Sequence, residues 1–396
     1  MRRRECLAAL LAGAGWPFGL RAAESLETLI GAAGPTARRV LAARDSYQPQ
    51  VLLTRCLRDG SGWRAQESQA FGLRLRQWFA AASWVKLPLA GLLLEELDRR
   101  GLDIAAGELR LEVDGTAACA PLPAAQAGGW RLDALMQSML VVSDNLAYNA
   151  LYELLGSDAI HARLRELGFP GIRMATRLGC QQPRSPGKLA ARLRDAQGAV
   201  VWESKAQPQE SFQRFPHGKA RAGRAWAEGG RVIPGAHDFS DSNFIPLADV
   251  HHMTLEFGGQ VGLLFELTAP TRRWLADTLS LVPRQAGGLG VEQRALPDDH
   301  SKWLLPLDAA GHFPAHLRIH SKNAQSYGWI GDSAFIVDEQ AGRACALTAL
   351  VFVDRDGVLN DGAYDYAGTG RPFLREVGSA LWKDVRVKLN APTGAG

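Results

Sequence analysis

The chain is 396 residues long, 46% hydrophobic and 22% charged, with 45 Lys and Arg against 41 Asp and Glu and a net charge of +4. That length supplies one large or two moderate domains with ample material for a core, and 11 Trp, 14 Phe and 6 Tyr spread along it exclude a disordered chain. So small a surplus of charge argues against a nucleic-acid partner without a clustered basic face, and no uninterrupted apolar stretch reaches the roughly 18–20 residues of a membrane span. Only eight of the basic residues are Lys, so a motif that insists on Lys rarely arises here by chance.

Residues 1–23 read as a signal peptide: Arg2, Arg3 and Arg4 precede an apolar run from Leu7 to Leu20, and small residues Ala22 and Ala23 follow. The Arg3-Arg4 pair suggests twin-arginine export, and the expected address is periplasmic or secreted. The rest, residues 24–396, reads as one domain with an insertion at about 180–243. It keeps four cysteines, Cys56, Cys119, Cys180 and Cys345, whose spacings match no zinc pattern. Four buried thiols are the preferred reading, with a Cys119–Cys180 disulfide as the alternative and the connectivity left open.

Alternation at Val51–Arg55 and around Ala70–Leu75, with Asp59-Gly60-Ser61-Gly62 between, predicts a hairpin. A helix follows through Leu87–Leu97 and closes at Arg99-Arg100-Gly101. Helical spacing recurs at Leu132–Leu140, at Ala147–Leu154 up to Gly156, and from the Ser157-Asp158 cap to Gly168. From Cys180 to Asn243 the pattern dissolves into Gln, Pro, Gly and Arg, read as a loop-rich subdomain. Helices return at Leu247–Phe257 and Pro270–Leu281, the pair His251-His252 being taken as helix surface. Strands at Leu317–His320, Ser333–Val337 and Ala344–Val353 and a closing helix over Pro372–Trp382 complete an α+β architecture. Its antiparallel sheet is built from both chain ends and carries a helical lobe.

Three motifs carry chemistry. Ser83-Trp84-Val85-Lys86 opens the first long helix and puts a hydroxyl and an amine one turn apart on one face. A Lys in apolar surroundings has a lowered pKa and can take the Ser proton. Alone the motif also describes an ordinary helix start, and a second copy, Ser185-Pro186-Gly187-Lys188, cannot place its side chains on one helical face. About 60 residues downstream, Ser143-Asp144-Asn145 lies between two helices. Lys322-Asn323-Ala324 lies on a strand that runs into Tyr327-Gly328.

In this order and spacing the motifs resemble those of the class A β-lactamase-like serine hydrolases within the penicillin-recognising serine enzymes. The similarity spans Trp78–Pro88, Leu132 to Gly168, and about Asp238 to Trp382. The resemblance implies the β-lactamase/transpeptidase-like form of the α+β fold and acyl transfer through a covalent serine ester. It implies Ser83 as nucleophile, Lys86 as general base and Ser143 as proton relay to the leaving nitrogen. Asn145 and Lys322 then bind substrate with Asn323, and the N–H groups of Ser83 and Gln325 form an oxyanion hole. Asp144 is structural by the same resemblance.

Two departures stand out. Ala324 replaces the family's strand glycine, and no Glu-x-x-Leu-Asn pattern follows Met174–Leu178 to position a deacylating water. Glu203, Glu210 and Glu228 read as solvated loop charges. The expected activity is opening of β-lactam or related amide bonds, with antibiotic resistance or β-lactam catabolism as its setting. The alternatives are a D-alanyl-D-alanine peptidase acting on peptidoglycan and a penicillin-binding or sensing protein that acylates and stalls. The expected partner is a β-lactam or a peptidoglycan-derived peptide. A monomer is expected, without stable membrane insertion, without a cofactor, and without a metal because the nine His form no ligand-spaced cluster. Residues 1–23 contribute +3 and the insertion, with ten basic and six acidic residues, +4, so the remaining framework is mildly acidic. The basic insertion is expected to attract carboxylate-bearing substrates or the anionic wall.

Overall fold

The structure, a computed structural model, describes residues 25–115, 122–124, 126–179, 187–207, 215 and 220–388. The expected signal peptide, Cys119, Cys180, Ser185 and Glu210 lie outside the described residues.

Two short helices open the described chain, α1 (Leu26–Ala33), capped by Ser25 Oγ accepting the Thr28 N–H, and α2 (Pro35–Ala42), begun by proline. Strands β1 (Gln50–Asp59) and β2 (Gly62–Phe71) form a hairpin through the expected turn, with Gly60 at φ 57°, but the second strand begins directly after the turn and ends at Phe71 rather than lying around Ala70–Leu75. A 3₁₀ turn (Ala82–Val85) leads into α3 (Lys86–Arg99). Then come β3 (Arg110–Val113), β4 (Trp130–Arg131), α4 (Leu132–Val141) and α5 (Asn145–Glu166). Helix α5 is broken at Gly156 (φ 77°, ψ 165°), where the expected boundary fell.

Among the described residues between 191 and 238 run six short strands: β5 (Ala191–Arg194), β6 (Val200–Ser204), β7 (Arg221–Ala222), β8 (Ala225–Glu228), β9 (Arg231–Pro234) and β10 (His237–Asp238). Helices α6 (Leu247–Gly259) and α7 (Ala269–Ser280) follow. Strands β11 (Leu317–Ser326), β12 (Trp329–Asp338), β13 (Arg343–Phe352) and β14 (Val358–Leu359) and helix α8 (Arg371–Lys388) end the described chain.

The main sheet has the order β11-β12-β13-β1-β2 and is antiparallel throughout, so it joins both chain ends as expected. Period-2 alternation divides its residues between two cores. Val51, Leu53, Cys345, Leu347 and Val351 face α1, α2 and α8, where Ile30, Val40, Phe373, Val377 and Leu381 are buried. Leu52 and Leu350 face the opposite way, into the core of the helical lobe. Cys56 and Cys345 are free, buried thiols on opposite faces of this sheet.

Two expectations are corrected. The stretch from 191 to 238 is strand-bearing rather than loop-rich: β5 and β6 extend a sheet of order β4-β3-β5-β6, while β8 pairs in parallel with β14 and antiparallel with β9. And His251 is not helix surface. It is 3% exposed, sharing short hydrogen bonds with Thr54 Oγ1 and Thr348 Oγ1 (2.8 Å each), and burial pushes its pKa down to about 3. It sits four residues after Leu247 and four before Leu255, on the buried face of α6.

Candidate active site

The site forms where the 3₁₀ turn, the start of α5 and the free edge strand β11 meet. Trp84 fixes the turn. Its indole N–H donates to the Lys322 carbonyl at 2.8 Å, and its ring lies over Gly331, where a Cβ would come within 2.5 Å of it. Glycine at 331 thus permits the close approach of the Ser83 turn to the sheet. Ala82 (φ 44°) and Ser143 (φ 62°) hold left-handed conformations unusual for residues with a Cβ. Both are next to, or part of, the sequence motifs.

The Lys86 ammonium donates to Ser83 Oγ (3.1 Å), Ser143 Oγ (3.3 Å), Asn145 Oδ1 (2.8 Å) and the Ser143 carbonyl. Ser143 Oγ lies 2.8 Å from Ser83 Oγ and accepts from Lys322 Nζ at 2.9 Å. Lys322 also donates to Asn323 Oδ1 at 2.7 Å. Six of the seven residues singled out from sequence therefore share one hydrogen-bonded cluster. The seventh, Gln325, has an exposed side chain. Its backbone is the relevant part: β11 turns into β12 through a two-residue hairpin closed by Ser326 and Trp329. Alternation from that hydrogen-bonded pair turns the Gln325 N–H toward the free edge.

Both lysines are buried, at 0% exposure for Lys86 and 1% for Lys322. Burial, then the charge of Lys322, pushes the Lys86 pKa well below the ordinary lysine value, against the opposing pull of Asp144. Burial likewise draws Lys322 down to about 7, with Asp332 opposing and Lys302 reinforcing the fall. A neutral amine 3.1 Å from a hydroxyl can accept its proton, and an ammonium on the far side of Ser143 can supply one. Asp144 caps α5, accepting the N–H groups of Leu146 (2.7 Å) and Ala147 (3.3 Å) and the Ser138 hydroxyl (2.9 Å).

Sequence reasoning passed over several supporting residues. Ser138 and Gln293 hold Asp144 from outside the motifs. Trp226, stacked on His237 at 3.8 Å, faces Tyr327 at the β11–β12 turn at 5.5 Å, and Phe239 joins Tyr327 to Trp78. The inserted strands thereby touch both segments that flank the site, a contact visible only in three dimensions. Where a loop glutamate was sought, Arg177 instead forms a fully buried pair with Glu153, which also takes the Leu189 N–H. Among the described residues no carboxylate hydrogen-bonds Ser83, Lys86 or Ser143. Glu203 and Glu228 are exposed, and Lys188 of the second Ser-x-x-Lys is buried against Ser204 Oγ and the Lys205 carbonyl. No group of three or more His, Cys, Asp and Glu among the described residues could hold a metal ion, and no described helix is long and apolar enough to cross a membrane.

The antiparallel sheet of both chain ends with its helical lobe is the β-lactamase/transpeptidase-like form of the α+β fold. Two solved structures of PBP-A share it. One is a variant captured as an acyl-enzyme complex with penicillin G (TM-score 0.51, 15% identity, 92% of this chain and all of that one). The other is PBP-A itself (TM-score 0.50, 16% identity, 92% and 100%). A β-lactamase from Desulfarculus baarsii aligns with 18% identity over 89% of this chain and 98% of its own, at a TM-score of 0.49. Residues 45–210 match the family model described as the Beta-lactamase enzyme family, which takes in the Ser83 and Ser143 motifs. No curated protein matches the chain.

Proposed function

We propose that the protein is an exported serine hydrolase that opens β-lactam or related amide bonds through an acyl ester on Ser83. The observation that carries this reading is the continuous path Lys86–Ser83–Ser143–Lys322, with steps of 3.1, 2.8 and 2.9 Å. Lys86 takes the Ser83 proton as Oγ attacks the amide carbonyl. The tetrahedral oxyanion is met by the N–H groups of Ser83 and Gln325. Collapse breaks the C–N bond as Ser143 passes a proton to the leaving nitrogen, with Lys322 reprotonating Ser143 and holding the substrate carboxylate. Asn145 and Asn323 orient the substrate.

A second reading is favoured by one observation: no described carboxylate touches the nucleophile cluster to hold a hydrolytic water. On that reading the ester forms but turns over slowly, as suits a penicillin-binding or sensing protein or a D-alanyl-D-alanine peptidase. Mixing the protein with a chromogenic cephalosporin and a labelled penicillin, while following product and adduct mass, separates these. Repeated turnovers support the lactamase, and a lasting adduct on Ser83 supports the second reading. D-Ala release from a peptidoglycan peptide would identify the peptidase. Full activity in Ser83→Ala would end both.

A further inference from the structure

Three of the eight lysines gather at β11, and only two belong to the motifs. The third, Lys302, is 5% exposed, and its ammonium donates to the carbonyls of Leu279 and Ile319 (2.7 Å each) and to Ser321 Oγ (3.3 Å). All three acceptors are neutral, so its hydrogen bonds are satisfied and its charge is not cancelled by contact. Asp332, 0% exposed, lies on β12 directly across from Asn323. One of its oxygens accepts the Trp303 N–H at 2.7 Å, and the other has no partner although buried. Charges without contact partners in such a place act through space, strongly because little water screens them.

We propose that Lys302 and Asp332 are positioning residues that set the charge of Lys322 from behind and so fix the site's demand for an anionic group on its substrate. Two ammoniums and one carboxylate leave this end of the site with an excess of positive charge that a substrate carboxylate beside Lys322 neutralises. Asp332 holds the proton on Lys322, while Lys302 opposes it and keeps Lys322 able to release that proton toward Ser143. Asp332 raises and Lys302 lowers the Lys322 pKa, and in return both lysines pull the Asp332 carboxyl down against the burial that raises it. The other charged or titratable groups facing Lys322 are Lys86 on α3, Asp144 before α5, and His300 in the loop ahead of β11. None of these lies on β12, behind the strand. The substrate consequence rests on the function proposed above, whereas the electrostatic arrangement does not.

The test reads Lys322 directly. Titrating the full chain labelled with ¹³Cε-lysine, followed by NMR and assigned with Lys322→Met, gives its midpoint without any reaction. Asp332→Asn should lower that midpoint by one pH unit or more, and Lys302→Met should raise it by a similar amount. Lys302→Arg, which keeps the charge, should leave it near the wild-type value. The double variant Lys302→Met/Asp332→Asn removes both charges behind the strand together, is expected to fold better than either single variant, and should return the midpoint toward wild type. Shifts of the same sign in both single variants, or none, would overturn the proposal; if one single variant does not fold, the sign in the other decides.

Acylation by penicillin G and by its methyl ester, compared at pH 8, reads the consequence. The carboxylate's advantage should fall about tenfold in Asp332→Asn and persist in Lys302→Met. Absence of any adduct in the wild type counts against the proposed function alone, because the lysine midpoints still decide the electrostatic claim.

Discussion

Ser143 is the most informative residue to change, because among the described residues its hydroxyl alone touches Ser83, Lys86 and Lys322 together. The distances from its Oγ place the two ammonium nitrogens within about 6 Å of each other, with that oxygen between them. Ser143→Ala deletes the proton route to the leaving nitrogen and leaves two buried lysines without a shared acceptor. Loss of such a proton transfer costs about 10²–10⁴-fold in acylation rate, or about 3–5 kcal/mol of barrier. The lost acceptor costs folding stability as well, about 1–3 kcal/mol.

Ser143→Gly separates the two effects. At φ 62° a glycine is relieved of a strain worth about 1 kcal/mol, so this variant should unfold at higher urea than Ser143→Ala. It should be no more active. Stopped-flow acylation by a fluorescent penicillin, set beside urea unfolding, measures both quantities. Acylation by Ser143→Ala within threefold of wild type would refute the relay, and a stability order with alanine above glycine would refute the strain argument.

Other changes test the frame around the site. Asp144→Ala removes the cap of α5 and the partner of Ser138 and should cost about 1–2 kcal/mol by urea unfolding, whereas an unchanged midpoint would deny the cap its role. Glu153→Gln breaks the fully buried pair with Arg177 and should cost about 3–5 kcal/mol; a loss below 1 kcal/mol would contradict the pairing. Lys322, drawn down to about 7, is deprotonated in the folded chain sooner than in the unfolded one, so its contribution to stability grows as pH rises above 7. Between pH 7 and 8.5 the thermal midpoint of the wild type should rise relative to that of Lys322→Met, and a widening deficit would reverse the sign. Neutralising the exposed Arg221, Arg224 and Arg231 should flatten the salt dependence of kcat/KM for anionic substrates; no change would remove the steering role of the insertion.

Where chemistry imposes order and spacing, the sequence was legible. Ser83 and Lys86 are bound by helical geometry, and Ser143 to Asn145 by a helix start. Lys322 could be weighed because lysine is scarce. The sheet from both ends followed from alternation in the N-terminal hairpin and from apolar runs near the C-terminus, most fully in β13. Helices α1 and α2 went unread because eight residues give barely two turns of periodicity. The inserted strands, two to five residues long, leave no period to detect. Lys302 stands after Asp298-Asp299-His300-Ser301, a run that reads as solvated loop. Its burial comes from the carbonyls of α7 and β11, which no local pattern reveals. The burial of His251, by contrast, is legible in its spacing from Leu247 and Leu255, which puts it on the inner face of α6.

The junction of β1 with β13 has a consequence for the order of events during synthesis. Its register joins Gln50 to Leu350 and Leu57 to Arg343, contacts separated by nearly the whole chain. Closing so long a loop is entropically costly, and sheets that depend on such contacts form late. The Ser83 turn, meanwhile, takes its bracing from the Lys322 carbonyl and from Gly331, both on strands of that sheet. A nascent chain therefore carries Ser83 for more than two hundred residues before the parts that brace it exist. Assembly of the Ser83 turn is tied to synthesis of β11 and β12, and a product truncated before them keeps the residue without the strands that brace it.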